Sequence, residues 1–482
     1  MFDLRPVGYV IGLLVACLGA SMLLPMLVDL WAGNGHWPIF AESAIITALV
    51  GGLMALASAN GTGDRLSIQQ TFLLTTGVWL ALPIFGAIPF YLGATEARFV
   101  DAFFEAMSGL TTTGSTVFSG LESLPEGLKL WRGLLQWFGG IGIIVVAMVF
   151  LPELRIGGMQ IFRSEGFDTS GKILPRAGEI AQSISVIYLG LTIACALAYL
   201  ATGMGVLDAV VHAMTTIATG GFANSDASFA EFGAGVEYVA SVFMILAALP
   251  FVRYVQFLAG TAQPLFTDTQ IQTFLGIVIA VVLVLTVWQL GFVTGSAEEA
   301  VRKSLFNAVS ILTGTGYAST DYGTWGSFAV VLFFFMGLVG GCAGSTSCSI
   351  KVFRFQLLFA SVKSQIRTIH SPHGMFAPRY QGRAVSEDVL SSVMSFFVLF
   401  VVSVGVLAIL LGMTGLDFIT SVSGAATALA NVGPGLGPEI GPSGNFAGLN
   451  DAAKWLLATA MLVGRLELLA VYAMLTVNFW RG

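Results

Sequence analysis

The chain repeats an eleven-residue phrase four times, and each copy has a glycine in its tenth column. The copies read EAMSGLTTTGS at 105–115, HAMTTIATGGF at 212–222, NAVSILTGTGY at 307–317 and GAATALANVGP at 424–434. Glycine permits backbone conformations that are closed to other residues, so carbonyl oxygens from four copies can point at one axis. Rings of carbonyl oxygens replace the water shell of the ion in potassium selectivity filters. The phrase therefore indicates cation coordination by main-chain oxygens.

Three further columns of the phrase are constant in type. The second column is always Ala, the fourth is always Ser or Thr, and the sixth is always Leu or Ile. Each copy lies between two long apolar stretches, which indicates four copies of one membrane unit. The tenth-column glycines are Gly114, Gly221, Gly316 and Gly433.

Side-chain catalysis is not indicated. Away from the ends of the apolar stretches only Arg465 and Glu467 are charged, whereas an enzyme would need clustered titratable residues there. His370 and His373 have loose metal-like spacing, but a solvated loop explains them better. A proton- or sodium-coupled secondary transporter is the alternative function. It would need inverted repeats, and four repeats of one orientation favour a pore-like path.

The composition is that of a polytopic membrane protein. Of 482 residues, 56% are hydrophobic and only 10% are charged, whereas soluble domains carry about 25% charged residues. Ten apolar stretches are long enough to cross a hydrocarbon core of about 30 Å. They are 9–30, 39–58, 70–93, 127–151, 182–202, 235–259, 271–294, 327–350, 389–413 and 453–479.

The phrase itself is too short to span the membrane. A helix from Asp101 to Thr112 rises only about 16 Å, roughly half of the hydrocarbon thickness. Irregular backbone at that depth is tolerated only where protein buries it or water wets it, so four such segments indicate a central aqueous path. A half-helix that enters from outside directs its partially negative C-terminal end at the membrane centre, where it favours a cation.

We therefore predict an all-α polytopic membrane protein. It has four helix–pore loop–helix repeats in a pseudo-fourfold arrangement and an N-terminal transmembrane hairpin. The predicted units are a two-helix prefix at 1–66, pore repeat 1 at 67–175, pore repeat 2 at 176–265, pore repeat 3 with a broken second helix at 266–380, and pore repeat 4 at 381–482.

Charged residues predict the orientation. With the N-terminus in the cytoplasm, most of the 21 Lys and Arg lie on the inner side, as the positive-inside rule requires. All four phrases then face the side that holds most of the 27 acids, and such a mouth attracts cations. Each single acid is equally well explained as a solvated loop residue. The inner loops are 351–388 and 152–181, and the second contains Arg155, Arg163, Lys172 and Arg176.

The cores of the phrases, TTTGS, TGGFAN, TGTGY and NVGPGLG, occur together with the stretch GGCAGSTSCSIK and the late GRLELL. In this combination the chain resembles the Trk/Ktr/HKT superfamily of potassium transporters, most closely its bacterial TrkH-type uptake subunits. The resemblance implies potassium as the substrate, no bound cofactor, and a filter lined by backbone carbonyls. The implied filter residues are Thr112, Thr113, Gly114, Thr219, Gly220, Gly221, Gly314, Thr315, Gly316, Asn431, Val432 and Gly433.

The resemblance also bears on selectivity. In plant relatives a Ser at the first filter glycine accompanies sodium transport, so Gly114 favours potassium. Because the four copies differ in sequence, we expect looser discrimination between ions than in a tetramer of identical chains.

The stretch 339–349 is rich in glycine and hydroxyl residues, which predicts a break in the eighth span because glycine costs about 1 kcal/mol per helix position. The resemblance implies an intramembrane gate below the filter at this place. The alternative is a helix-packing face of small residues. The implied gate residues are Gly340, Gly341, Gly344, Ser345, Thr346 and Ser347.

Arg465 lies in the middle of the last apolar stretch. An intramembrane Arg costs at least about 2.5–3.5 kcal/mol and normally faces a cavity or a partner. The resemblance implies a place in the permeation path below the filter, where its charge is a barrier to cations. A buried ion pair with another helix is the alternative.

The remaining expectations concern partners and location. The resemblance implies a homodimer and a cytosolic, TrkA-type nucleotide-binding ring that regulates the gate from the basic inner loops. The chain has no room for a nucleotide domain of its own, and we expect no nucleic-acid partner. The expected location is the bacterial inner membrane, in a lipid bilayer crossed many times.

Overall fold

The computed structural model describes residues 3–61, 66–146, 158–159, 177–293 and 296–481. Most of the described chain is helical, and its one sheet is an antiparallel hairpin of the strands Arg379–Tyr380 and Arg383–Ala384. The predicted all-α architecture is thereby confirmed. Four basic residues of the first inner loop, Arg155, Arg163, Lys172 and Arg176, lie outside the described residues.

Six of the described helical segments are long and apolar enough to cross a membrane. Their outer faces carry exposed side chains such as Leu53, Leu283 and Val401, which would be a liability in water and are suited to lipid. The chain is therefore a multi-pass membrane protein. The six segments are Arg5–Ala32, Trp37–Ser58, Ile68–Leu92, Ala181–Ala201, Thr269–Phe292 and Glu387–Met413.

The N-terminal prefix is a helical hairpin joined to the first repeat. Its two long helices approach closely at Gly51, where an added methyl group would lie 2.4 Å from the backbone nitrogen of Ala16. Buried Asp29 accepts a hydrogen bond from the N–H of Gly127 at 2.7 Å and so fixes the prefix to the next unit. The helices of the prefix are Arg5–Ser21, Leu23–Ala32 and Trp37–Ser58, followed by the 3-10 turn Ala59–Gly61.

Four short helices carry the start of the repeated phrase and are mostly buried in their C-terminal halves, whereas their first residues, such as Val206 and Phe418, are exposed. They have 12, 12, 16 and 13 residues, so each is shorter than the hydrocarbon core at about 1.5 Å per residue. Side chains of Ser296 and Asp417 cap the N-termini of the third and fourth, as these residue types commonly do. The pore helices 1 to 4 are Phe99–Leu110, Val206–Ile217, Ala297–Leu312 and Phe418–Ala430.

Each pore helix lies between flanking helices of its own repeat. In repeat 1 these are Ile68–Gly86, Ile88–Leu92 and Glu126–Val145, with the 3-10 turn Leu121–Ser123. In repeat 2 they are Ala177–Ala201, Ala234–Ala247 and Phe251–Leu258, with the turn Ser228–Glu231. In repeat 3 they are Thr269–Phe292, Ser327–Gly337 and Val352–His370, with the turn Tyr322–Trp325, and the short helix Gln263–Thr267 lies at the predicted boundary between repeats 2 and 3. In repeat 4 they are Glu387–Met413, Gly437–Ile440, Asp451–Arg465, Leu469–Met474 and Val477–Arg481.

Two of the apolar stretches bend or break where the sequence predicts continuous spans. The helices Ala234–Ala247 and Phe251–Leu258 meet at 88°, because Pro250 lacks an N–H and disfavours helix at the residue before it. In the last stretch the helix ends at Arg465, and Glu467 and Leu468 have φ of +62° and +48°.

The stretch 327–350 also leaves the helical conformation, at the place where glycines are concentrated. Its helix ends at Gly337, and a loop of residues 338–351 precedes the next helix, which begins at Val352. Val339 and Ile350 form an isolated parallel bridge that closes the base of this loop. We call residues 338–351 the intramembrane loop.

Candidate functional site

The four pore helices end in the same hydrogen-bonded turn. In the first copy the N–H of Thr113 donates to the Ser108 carbonyl at 2.9 Å, and the N–H of Thr112 donates to the Gly109 carbonyl at 3.0 Å. This pair of bonds is a Schellman motif, which reverses the chain after a helix. The bond from column nine to the carbonyl of column four recurs in the other copies. It runs from Gly220 to Thr215 (2.8 Å), from Thr315 to Ser310 (2.8 Å) and from Val432 to Thr427 (3.1 Å).

Two columns of the phrase have positive φ in every copy. Column eight supplies the left-handed residue that the turn requires, although Thr112 and Thr219 are β-branched and rarely adopt it. Column ten is left-handed again and is always glycine. The φ values are +52°, +48°, +73° and +52° for Thr112, Thr219, Gly314 and Asn431, and +88°, +81°, +84° and +108° for Gly114, Gly221, Gly316 and Gly433.

The tenth-column glycines form one closed ring. Each packs against the column-nine carbonyl oxygen of the next copy, so closely that a methyl group would overlap it. A methyl carbon added to the glycine would lie 2.3 Å from the Gly220 oxygen at Gly114 and 2.0 Å from the Thr315 oxygen at Gly221. It would lie 2.0 Å from the Val432 oxygen at Gly316 and 2.8 Å from the Thr113 oxygen at Gly433. The contacts run from copy 1 through 4 and back to 1, so the four phrases surround a single axis.

Side-chain contacts also join the first and fourth copies of the phrase. The amide nitrogen of Asn431 donates to the hydroxyl oxygen of Thr113 at 2.9 Å and to the Met461 carbonyl at 2.9 Å. The hydroxyl of Ser115 donates to the Gly433 carbonyl at 2.8 Å. The four ring glycines line one cavity, on the side of the ring that the charge distribution predicts to be the outer one, together with Thr116, Phe222 and other residues.

A polar residue of each pore helix holds the chain that returns from the ring. The phrase begins with Glu105, His212 and Asn307, and each accepts a hydrogen bond from a backbone N–H twelve residues later. The fourth copy begins with Gly424, and the preceding Ser423 takes over this function. The bonds come from Val117 to Glu105 (2.9 Å), from Asn224 to His212 (3.4 Å), from Ser319 to Asn307 (3.2 Å) and from Leu436 to Ser423 (2.9 Å).

These four contacts were missed by the sequence analysis, which did not consider Glu105, His212 or Asn307 as site residues. The sequence signal was the polar first column, and its constant distance to the returning chain could have shown its role. Ser423 had no such signal, because it lies one residue outside the phrase.

A buried ion pair of the first repeat also contacts the second repeat. Arg132 and Glu105 are 1% and 0% exposed, and their Nε and Oε1 atoms are 2.9 Å apart. Arg132 also donates to the Ala223 carbonyl at 2.6 Å and lies over the ring of Phe222 at 4.3 Å. Glu105 holds the returning chain of repeat 1 at Val117, and Arg132 holds that of repeat 2 at Ala223. The ion pair between them therefore links the two returning chains, and breaking it would leave an uncompensated buried charge.

Two carboxylates on the predicted outer side, Glu122 and Asp226, form hydrogen bonds between repeats 1 and 2. Glu122 accepts hydrogen bonds from the hydroxyl of Ser225 at 2.7 Å and the N–H of Asp226 at 2.8 Å. The Asp226 carboxylate in turn accepts from the N–H groups of Gly120 at 2.7 Å and Leu121 at 3.1 Å. The Ser225 hydrogen bond holds the pKa of Glu122 below its usual range. Glu122 therefore carries a negative charge at the predicted outer mouth, but this charge is hydrogen-bonded to the chain.

The intramembrane loop is tied to three different repeats. The Thr346 hydroxyl donates to the Ala247 carbonyl at 3.0 Å, and the Gly344 carbonyl accepts from the N–H of Phe251 at 2.9 Å. The N–H of Ala343 donates to Gln270 at 3.0 Å. The N–H of Ser349 donates to the Ala430 carbonyl, at the end of pore helix 4, at 2.9 Å.

Bonds within the loop close it on itself. The N–H of Gly341 donates to the Ser347 hydroxyl at 2.8 Å, and the Ser345 hydroxyl donates to the Cys342 carbonyl at 2.7 Å. The N–H of Gly340 donates to the Ile350 carbonyl at 2.9 Å. A methyl group on Gly340 would lie 1.9 Å from the Cys348 oxygen, so only glycine fits this close approach.

Cys348 connects the loop to the inner end of the ring and to Arg465. Its sulfur lies 3.6 Å from the Thr112 hydroxyl and accepts a hydrogen bond from a guanidinium nitrogen of Arg465 at 2.6 Å. Arg465 also donates to the Gly139 carbonyl at 3.2 Å, and it faces the ring of Trp79 at 5.6 Å. It has no carboxylate in contact within the described part of the chain. The alternative of a buried ion pair therefore finds no carboxylate partner for Arg465 among the described residues.

Glu467 pairs instead with Arg354, whose guanidinium lies over Phe396 at 3.8 Å. Lys351 donates to the Ser347 carbonyl. Arg465, Glu467, Lys351 and the loop line one small inner cavity. Among the described residues, Lys351 and Arg465 line this cavity together with one carboxylate, Glu467, which pairs with Arg354, so positive charges outnumber negative ones below the ring.

Metal-binding side chains do not cluster in the described residues, where no group of three His, Cys, Asp or Glu could hold a metal ion. His370 ends its helix and His373 lies in the exposed turn that follows, as expected for a solvated loop. The ring instead presents main-chain oxygens, those of column nine, at the junctions between the copies.

Comparisons with known proteins agree with this geometry. The model of the TrkH family, described as a cation transport protein, matches residues 36–479. A Trk system potassium uptake protein TrkI from Halomonas elongata is 45% identical over 478 residues, which cover 99% of this chain and 97% of the relative. The TrkH protein of Escherichia coli K12, also named a Trk system potassium uptake protein, is 34% identical and covers 99% of both chains.

A solved structure has the same fold. The crystal structure of the potassium transporter TrkH from Vibrio parahaemolyticus superposes with a TM-score of 0.90 at 34% identity. The match covers 99% of this chain and 99% of that one.

We predict that Asn307→Leu weakens the third repeat. The change leaves the buried N–H of Ser319 without an acceptor, at a cost of about 1–3 kcal/mol, so the midpoint of thermal unfolding in detergent falls. Ser108→Ala is the matched control on another pore helix, because the Ser108 hydroxyl has no partner in the described structure. Equal midpoints for the two variants would contradict the assigned role of Asn307.

Proposed function

The chain belongs to the TrkH family of cation transport proteins and mediates potassium uptake, and we propose that the ion passes through the ring of the four phrases. It is a transporter and not an enzyme, with potassium as the transported substrate. The observation that carries the proposed path is the closed sequence of contacts between each tenth-column glycine and the column-nine oxygen of the next copy.

The proposed filter is lined by the backbone carbonyls of columns eight to ten. Four helix ends converge on it, and their partial negative charges favour a cation at the membrane centre. Carbonyl oxygens then replace the hydration water of potassium. Because column nine contains Thr113, Gly220, Thr315 and Val432, the ring is only pseudo-fourfold, and we propose weaker discrimination against sodium than identical subunits give.

We assign the gate to the intramembrane loop and Arg465. The loop lies against the inner end of the ring, since Cys348 contacts Thr112 and its backbone nitrogen is 3.3 Å from a methyl group placed on Gly314. Arg465 holds Cys348 and adds a positive charge below the ring that contacts no carboxylate within the described residues. For the gate to open, Arg465 must break its hydrogen bonds to Cys348 and Gly139 and form new ones.

A coupled secondary transporter is not favoured. Such a protein needs alternating access between inverted repeats, whereas the four copies here share one orientation and one axis.

The proposed repeat boundaries are 67–175, 176–265, 266–380 and 381–482, after the prefix 1–66. An inward-negative potential of 100 mV contributes about 2.3 kcal/mol per unit charge to uptake.

We further propose the orientation, location and partners. The N-terminus is cytoplasmic and the membrane is the bacterial inner membrane, which places the segment 351–388, including the helix Val352–His370, on the inside. Its Lys363, Arg367, Arg379 and Arg383 are exposed and suit a cytosolic, TrkA-type nucleotide-binding ring with an acidic face. The word "system" in the names of the relatives fits a membrane component that works with other subunits. A homodimer is also part of this proposal.

Gly114→Ser tests the filter. The side chain would meet the Gly220 oxygen at 2.3 Å and would force φ of +88° on a residue with a Cβ. With a strain of about 1–3 kcal/mol at the ring, we expect the ratio of rubidium to sodium flux into vesicles to fall roughly tenfold. Gly120→Ser is the control, because Gly120 also has positive φ (+67°) but its nearest neighbour is 3.4 Å away. An unchanged ratio in a folded Gly114→Ser protein would contradict the proposal.

Arg465→Ala tests the electrostatic barrier. A unit charge about 10 Å from the ion contributes about 1–2 kcal/mol at an effective dielectric constant near 20, so rubidium flux should rise roughly tenfold. Arg465→Lys keeps the charge and should stay close to the unchanged protein. If flux through folded Arg465→Ala protein does not increase, the arginine is a structural residue and not a barrier.

A further inference from the structure

Gln136 reaches the ring from outside the repeated phrase. It lies on the helix Glu126–Val145 and is fully buried. Its amide nitrogen donates to the Gly220 carbonyl at 2.5 Å, and its amide oxygen accepts from the N–H of Phe222 at 3.1 Å. One side chain thus holds the chain on both sides of Gly221, a ring glycine.

A side chain at position 220 is excluded by a lack of space beside Gln136. The backbone conformation of Gly220 does not itself require glycine. It is absent from the residues with positive φ, in contrast to Gly221 at +81°. A methyl group on Gly220 would lie 2.4 Å from both the amide carbon and the amide oxygen of Gln136. The amide therefore occupies the volume where column nine has a side chain in the other copies.

Hydroxyl pairs hold column nine in two of those copies. The hydroxyl oxygens of Thr113 and Thr111 are 2.7 Å apart, and so are those of Thr315 and Thr313. In the second copy the corresponding residues are Gly220 and Ala218, which offer no hydroxyl group. Gln136 supplies from a neighbouring helix the hydrogen bonds that this copy lacks.

The Gly220 carbonyl is also the oxygen against which Gly114 packs, at the junction of the first two copies. A donated hydrogen bond fixes the direction of this oxygen and withdraws electron density from it. We propose that Gln136 is a positioning residue of the filter, which sets the place of the Gly220 carbonyl and thereby the discrimination between potassium and sodium. This inference rests on the proposed function of the ring.

An exchange of side chains between the two positions tests this role. Gln136→Ala removes the amide, and Gly220→Thr alone overlaps with it. The double variant Q136A/G220T gives the second copy the same column-nine residue as copies 1 and 3. Rubidium and sodium fluxes are measured for each in vesicles of equal protein content, with thermal midpoints in detergent as the test of folding.

We expect Q136A and G220T each to lower the ratio of rubidium to sodium flux roughly fivefold to tenfold, the change associated with one or two lost hydrogen bonds. The double variant should recover most of the ratio of rubidium to sodium flux of the unchanged protein. If the two changes only lowered stability additively, the double variant would instead be the most impaired. Gln289→Ala is the matched control, because buried Gln289 donates to the Ser304 hydroxyl at 3.2 Å, away from the ring. Its ratio should not change.

Two results overturn the inference. One is an unchanged flux ratio in Q136A, or in Gln136→Met if the alanine variant does not fold. The other is a folded double variant with no recovery. If Gly114→Ser lowers the ratio while both Gln136 variants leave it unchanged, the filter stands and the role of Gln136 fails. If Gly114→Ser also has no effect, the proposed filter itself is wrong.

Discussion

The structure depends on bringing four broken helices to the middle of a membrane without leaving buried backbone groups unbonded. Each pore helix solves this with a Schellman turn, in which column nine donates to the carbonyl of column four. The chain then passes a left-handed glycine that lies against the next copy. Because each copy packs against its neighbour, the four copies close into one ring, and the proposed cation site is formed by its main-chain oxygens.

The four copies meet the same demand with different side chains. The returning chain is held by a carboxylate at Glu105, an imidazole at His212, an amide at Asn307 and a hydroxyl at Ser423. Column nine is held by hydroxyl pairs in two copies and by Gln136 in another. These groups differ in charge and in donor capacity, so the electric field around the axis is asymmetric although its geometry is nearly fourfold.

Much of this arrangement could be predicted from the sequence, because repetition and spacing are local properties. The recurrent tenth-column glycine and the short polar helices indicated four half-membrane segments, and the family comparisons confirm the transporter. Contacts across the sequence could not be read in this way. The bond from Arg465 to Cys348 depends on which helices become neighbours. For the same reason no spacing rule would have linked Gln136 to Gly220, which lies 84 residues away.

The most direct test of the account is to locate the bound ion. Crystals of the protein soaked in thallium, a heavy substitute for potassium, would be measured for anomalous scattering. The account predicts density on the axis enclosed by Gly114, Gly221, Gly316 and Gly433, next to the column-nine oxygens. Ordered thallium bound elsewhere in the membrane region, with none on this axis, would contradict it.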